Sequence, residues 1–259
     1  VRINMIPRDI IPGPSGPTVL LLHAYPFDHR MWLPTVDRLA GVPILLVDAP
    51  GFGESEPSMD TPSLDAYADQ IVAGMGRFGV ERIIPVGNSM GGYVALALLE
   101  RHPDVVAGLG LLGTRADADS VDAKAGRFEN LVTMLAGRRE ELLTPQVESM
   151  FTESTRRARP EIISQAVQWS RDATDEGISW AQRAIASRPN RLDLIAAFHK
   201  PVLVMRGEND TVTPPEQTAA LAQAAGVDVI EVHDTSHLIP IENPGAASRH
   251  IMTLYPQCM

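Results

Sequence analysis

The stretch Arg82-Ile83-Ile84-Pro85-Val86-Gly87-Asn88-Ser89-Met90-Gly91-Gly92-Tyr93-Val94-Ala95-Leu96-Ala97-Leu98-Leu99 decides how the chain is read. Arg82 to Val86 is short and rich in Ile and Val, the pattern of a strand buried on both faces. From about Gly92 to His102 the chain is rich in Ala and Leu and reads as a helix. Between them lies Gly87-Asn88-Ser89-Met90-Gly91, a G-x-S-x-G pentapeptide. A serine on a sharp strand-to-helix turn takes a strained backbone, and neighbouring side chains collide with the turn unless the flanking positions are Gly. The turn pushes the Ser89 hydroxyl out beyond the strand. It also puts the Met90 N–H at a helix start, where unpaired donors and the helix dipole favour developing negative charge. At ordinary Gly and Ser usage the bare pattern arises in about one window in three thousand. The strand before it and the helix after it make it far more specific.

Working outward, Thr18 to Leu22 and Pro43 to Val47 read as two earlier buried strands. Ser63 to Phe78 reads as a helix, because Leu64, Tyr67, Ala68, Ile71, Val72, Met75 and Phe78 recur at helical spacing. Beyond the pentapeptide come strands at Val106 to Leu112, Val202 to Arg206 and Asp228 to His233, and helices at Pro215 to Ala225 and Pro244 to Leu254. This alternation predicts an α/β fold with a doubly wound, mostly parallel sheet. Arg115 to Phe198 breaks the rhythm: its apolar residues recur three and four apart (Phe128, Leu131, Val132, Leu135; Ile162, Ile163, Ala166, Val167) with no convincing strand. The division expected is a core of residues 1–114 and 199–259 with a helical cap inserted at 115–198. The cap would lie over the sheet end where ligands bind.

Composition sets outer bounds. With 259 residues, 44% hydrophobic and 21% charged, the chain can bury one sizeable core, and a net charge of -10 is too modest for general disorder. Collagen and solenoid readings fall with the lack of any repeat. The longest apolar runs, such as Val105 to Leu112, are far shorter than the roughly 20 residues a membrane span needs, so no membrane is expected. Val1 to Gly16 has no apolar signal core, and the one cysteine, Cys258, has no partner for a disulfide; a reducing cytoplasm is the location expected. No Cys/His spacing suggests a metal. Gly51-x-Gly53 lacks the third glycine and the acidic residue of a dinucleotide fingerprint, so no cofactor is expected. Twenty Arg and two Lys spread along an acidic chain argue against nucleic acid. Arg138-Arg139 and Arg156-Arg157 with Arg159 read as solvated helix faces.

A serine hydroxyl needs a histidine base, itself oriented by a carboxylate. Gly207-Glu208-Asn209-Asp210 follows the strand Val202 to Arg206, and Ser236-His237 follows the strand Asp228 to His233. Both lie at the sheet edge that carries Ser89, in the chain order Ser, Asp, His. Glu208 and Asp117 are rival acids. His233 ends a strand, His102 precedes Pro103 at a helix end, and Asp48 precedes Ser89; these read as structural.

Together with Leu22-His23-Ala24-Tyr25-Pro26, Trp32, Asp48-Ala49-Pro50-Gly51-Phe52-Gly53-Glu54-Ser55 and Glu242-Asn243-Pro244, these motifs resemble the α/β-hydrolase fold family over almost the whole chain. The resemblance implies Ser89 as nucleophile, His237 as general base and Asp210 as orienting acid, with the Tyr25 and Met90 backbone N–H groups as oxyanion donors. Ala24 stands where the family usually has Gly. His23, Met134, Met150, Phe151, Trp169 and Leu238 are candidate pocket residues. The default chemistry is hydrolysis of a small ester or lactone through an acyl-enzyme, without a cofactor. Three alternatives share the fold. The elbow resembles that of carbon-carbon bond hydrolases of ring-cleavage products, although Leu238 stands where those relatives have Trp. A cofactor-free perhydrolase and a slow-turnover ligand receptor would carry the same triad.

Overall fold

The computed structural model describes residues 1–10 and 16–259; residues 11–15, part of the N-terminal stretch read above for a leader, lie outside the described residues. The strands are β1 (Met5–Arg8), β2 (Thr18–Leu22), β3 (Ile44–Val47), β4 (Ile83–Asn88), β5 (Leu109–Leu112), β6 (Val202–Gly207) and β7 (Val229–Val232), in the sheet order β1-β3-β2-β4-β5-β6-β7. Every pairing is parallel except β1 with β3.

The Leu and Val runs form strands because both of their faces find apolar cover. Along β2, Val19 and Leu21 join Ile44 and Leu46 in one apolar cluster, while Leu20 and Leu22 join Leu45 and Val47 in the other. The period-two alternation of a strand sorts side chains to opposite faces. The helices are α1 (Leu33–Val36), α2 (Leu64–Met75), α3 (Met90–Arg101), α4 (Val121–Leu135), α5 (Arg139–Ser149), α6 (Glu153–Ala158), α7 (Pro160–Asp172), α8 (Asp175–Ala186), α9 (Leu192–Ala196), α10 (Pro215–Ala225), α11 (Ile239–Glu242) and α12 (Pro244–Leu254). Residues of α2 and α3 cover the Leu20 face, and Ala247 and Ile251 of α12 the Val19 face. Six helices, α4 to α9, separate β5 from β6, with no strand among the described residues of that stretch.

Several boundaries differ from expectation. β1 has no clear sequence signal because Pro7 sits inside it, a residue sheets tolerate at an edge strand such as this one. Val106 makes only an isolated bridge to Ile83, so β5 begins at Leu109. The helix expected to reach Phe78 leaves α-geometry at Met75, and Gly76–Phe78 tightens into a 3₁₀ turn closed by Gly79 at φ 67°. Nor are all the paired arginines simply solvated. Arg139 donates to the Ser170 and Ala173 carbonyls, and Arg159 to the Glu242 carbonyl, so both fasten helix ends.

Candidate active site

The elbow is built as its glycines require. Ser89 has φ 53° and ψ -114°, a region costly to a residue with a side chain. A Cβ on Gly87 would lie 2.1 Å from the Gly91 carbonyl carbon, and one on Gly91 would lie 2.1 Å from the Leu22 oxygen. Ser89 N–H donates to Leu112 O at 2.9 Å, and the Thr114 hydroxyl donates to Ser89 O at 2.8 Å, so β5 and the loop after it hold the turn. Met90 is the first residue of α3, whose opening N–H groups have no acceptor within the helix.

On the neighbouring loops, His237 Nδ1 lies 3.0 and 3.1 Å from the two carboxylate oxygens of Asp210, and both side chains are buried. A carboxylate only accepts, so the proton resides on Nδ1 and Nε2 is left as the basic nitrogen. Nε2 is buried without a hydrogen-bond partner among the described residues. Burial pushes the Asp210 carboxyl toward the neutral form. The His237 ring and the Thr213 and Val212 N–H groups outweigh it and hold the carboxyl below its ordinary range. The pair is tied to the elbow through Asn88, whose amide donates to Leu112 O and to His237 O at 3.1 Å. A Cβ on Gly113, at φ 50°, would approach Asn88, His237 and Asp210 together, within 3.1 to 3.3 Å.

The rival groups lie elsewhere. Glu208 is exposed and takes the Asp234 N–H and the exposed His233 ring at 2.8 Å. Asp117 lies 3.9 Å from Arg115. His102 pairs with Asp69 of α2 at 2.8 Å rather than capping helix carbonyls, because α2 and α3 run side by side there. Asp48 accepts from His29 and Asn4 and from the Glu54 N–H, organising the turn after β3. Asp28, His29 and Asp48 bring potential metal donors within 4.8 Å of one another, but Asp28 is already paired with Arg30.

The loop after β2 turns sharply: Phe27 N–H donates to Ala24 O at 2.9 Å, with Tyr25 and Pro26 between. Tyr25 is buried with its ring edge-on to Phe52, and burial pushes its hydroxyl pKa up to about 12. His23 offers no free polar atom to a ligand. Its Nδ1 bonds Ala24 O at 3.0 Å and its Nε2 accepts from Ala49 N at 2.9 Å, so the ring braces two loops and burial keeps it neutral.

The remaining pocket candidates do not gather in one place. Met150, Phe151, Trp169 and Leu238 share one apolar cluster, whereas Met134 belongs to the cluster containing Tyr25 and Met90. Phe151 borders a cleft of about 410 Å³ beside Asn209, Thr211 and Ser236, the neighbours of Asp210 and His237. Met134 borders a different cleft of about 320 Å³, with Trp180.

One residue central to the arrangement carried no sequence signal of its role. The buried Glu242 carboxylate accepts from Thr152 N, at the cap of α6, at 2.8 Å and from Ser236 N at 2.6 Å. Met150 O accepts from His237 N at 3.2 Å nearby. Helical segment and His237 loop are thereby joined.

Residues 17–244 match the family model for the alpha/beta hydrolase fold. The chain belongs to the alpha/beta hydrolase fold family. The solved structure of a thermophilic esterase from Thermogutta terrifontis superposes with a TM-score of 0.91 at 30% identity, over 99% of this chain and 93% of that one. Among curated relatives, the dihydrolipoyllysine-residue acetyltransferase component of the acetoin cleaving system of Cupriavidus necator is 29% identical across 89% of this hydrolase-fold chain. A 2-hydroxy-6-oxononadienedioate/2-hydroxy-6-oxononatrienedioate hydrolase of a Pseudomonas species is 26% identical across 68%. The aligned regions cover 61% and 63% of those two relatives' own lengths. Among the described residues, no helix of this family member is long and apolar enough to cross a membrane.

Proposed function

We propose that the chain is a serine hydrolase that cleaves small carboxylic esters or lactones through an acyl-enzyme on Ser89. The observation that carries this reading is the buried His237–Asp210 pair, its Nε2 unpartnered, bonded through Asn88 to the strained turn bearing Ser89. In the mechanism proposed, His237 Nε2 takes the Ser89 hydroxyl proton as Oγ attacks the ester carbonyl. The tetrahedral oxyanion is held by the Tyr25 and Met90 N–H groups. Nε2 then returns the proton to the departing alcohol, or to the ring-opened oxygen of a lactone. A water molecule, deprotonated by His237, attacks the acyl-serine; its proton passes back to Ser89 Oγ and the carboxylic acid leaves. Asp210, held ionised, orients the ring and offsets the imidazolium charge. Residues 115–198 act as the cap that shapes the acyl pocket.

The likeness to the Thermogutta esterase supports the ester class. A carbon-carbon hydrolase is the second reading, favoured by the Gly87-Asn88-Ser89-Met90-Gly91-Gly92 elbow and by the Pseudomonas relative. A panel of short aryl esters, lactones and vinylogous diketo acids separates the two. Multiple turnovers on esters or lactones, lost in Ser89→Ala, bear out the first reading; turnover confined to the diketo acids transfers the assignment to the second.

A further inference from the structure

Helix α4 turns an apolar face to solvent. Val121 is 83% exposed, Phe128 52%, Val132 66% and Leu135 83%, and Ala125 is also exposed. Among the described residues nine large hydrophobics are exposed, and four of them lie on this one helix face. Residues 121, 125, 128, 132 and 135 are spaced by four, three, four and three, which is the a/d seam of a coiled coil. Single exposed apolar residues need no explanation; a seam sustained over two heptads is the surface one helix offers to another.

We propose that α4 is the contact through which two copies of this chain associate, seam against seam and parallel. The charges beside the seam select this occupant. With Val121, Phe128 and Leu135 at d and Ala125 and Val132 at a, Lys124 falls at g and Glu129 at the following e. In a parallel pair, g faces the e five residues on, so Lys124 meets Glu129 of the partner subunit and the reciprocal pair forms across the two-fold axis. In an antiparallel pair, Glu129 would face Glu129 of the partner subunit. Neither Lys124 nor Glu129 enters an ion pair within the chain among the described residues. The β-branched Val132 at a, beside Leu135 at d, suits two parallel strands. One seam falls short of the roughly 800 Å² per partner of a standard interface. The fully exposed Met59 and the 320 Å³ cleft it shares with Leu135 extend the surface, and the association depends on concentration.

Sedimentation velocity over a concentration series tests this, with circular dichroism as the folding control. The wild-type chain moves from monomer to dimer as concentration rises. Phe128→Glu weakens association at least about tenfold and leaves turnover of a short aryl ester unchanged. Lys124→Glu and Glu129→Lys each weaken the dimer, and the double exchange restores it. Val121→Cys cross-links to itself on oxidation, which an antiparallel pair forbids. A monomer at every concentration, a dimer indifferent to Phe128→Glu, or a double exchange no better than the singles overturns the proposal. So does a monomer that binds phosphatidylcholine vesicles through Phe128.

Discussion

Asp210 and Glu208 stand two residues apart in the loop after β6, yet only one reaches His237. Asp210 is buried against the ring, while Glu208 is exposed and engaged with His233 and Asp234 N. Asp210→Asn therefore lowers kcat/KM by about 10⁴, since an amide no longer fixes the proton on Nδ1, whereas Glu208→Gln changes it little; steady-state kinetics of both variants decide the ranking. His23 supplies a pH prediction. Burial lowers its folded pKa, so as pH falls through the ordinary imidazole value, about 6.5, the unfolded chain takes up a proton that the folded ring refuses. Stability is thus lost toward acid. Melting temperature falls more between about pH 7.5 and about pH 5.5 in the wild type than in His23→Gln, where the titration is absent. The triad candidates were legible because each residue type directly follows a recognisable strand. The bracing role of His23 was not, because it depends on Ala49 N, 26 residues away, which no local pattern announces.

At the scale of elements, the buried strands, α2, α3 and the strand-turn-helix unit could be read from periodicity and glycine placement. β1 could not, since an edge strand containing Pro7 gives no run of apolar residues. The seating of the helical stretch was equally hidden. Gly51 and Gly177 approach so closely that a Cβ on either would lie 2.5 Å from the other's backbone, and Thr174 N donates to Gly51 O. Those contacts span more than a hundred residues. Glu242 is the clearest case: one carboxylate holds both the start of α6 and the loop before His237. Glu242→Gln replaces one acceptor oxygen by a donor, so one of the two N–H groups loses its partner. About a tenfold fall in kcat is expected from misplacement of His237, with a smaller change in KM. Faster amide exchange at Thr152 or Ser236 checks that the bridge itself has opened.

Across the whole molecule, a buried charge cluster ties distant parts of the inserted stretch 115–198 to one another, and one of its arginines reaches α3. Asp119 is buried among Arg115, Arg127 and Arg188, at 2.5, 2.5 and 2.8 Å, and Arg188 also stacks 4.1 Å over the Tyr93 ring of α3. Asp119→Asn leaves three guanidinium groups without their shared anion. A loss of about 3 kcal/mol follows, which in a chain of this size lowers the melting temperature by about 10 °C, as calorimetry can check. Through Arg188 the cluster also touches α3, the helix that opens at the Ser89 turn. In the triad proposed, His237 and Asp210 activate Ser89. Incubation with a fluorophosphonate, followed by intact mass and peptide mapping, tests it most directly. One label per chain is expected, on Ser89, lost in Ser89→Ala and slowed strongly in His237→Ala; no label, or a label on another residue, would contradict the proposed triad.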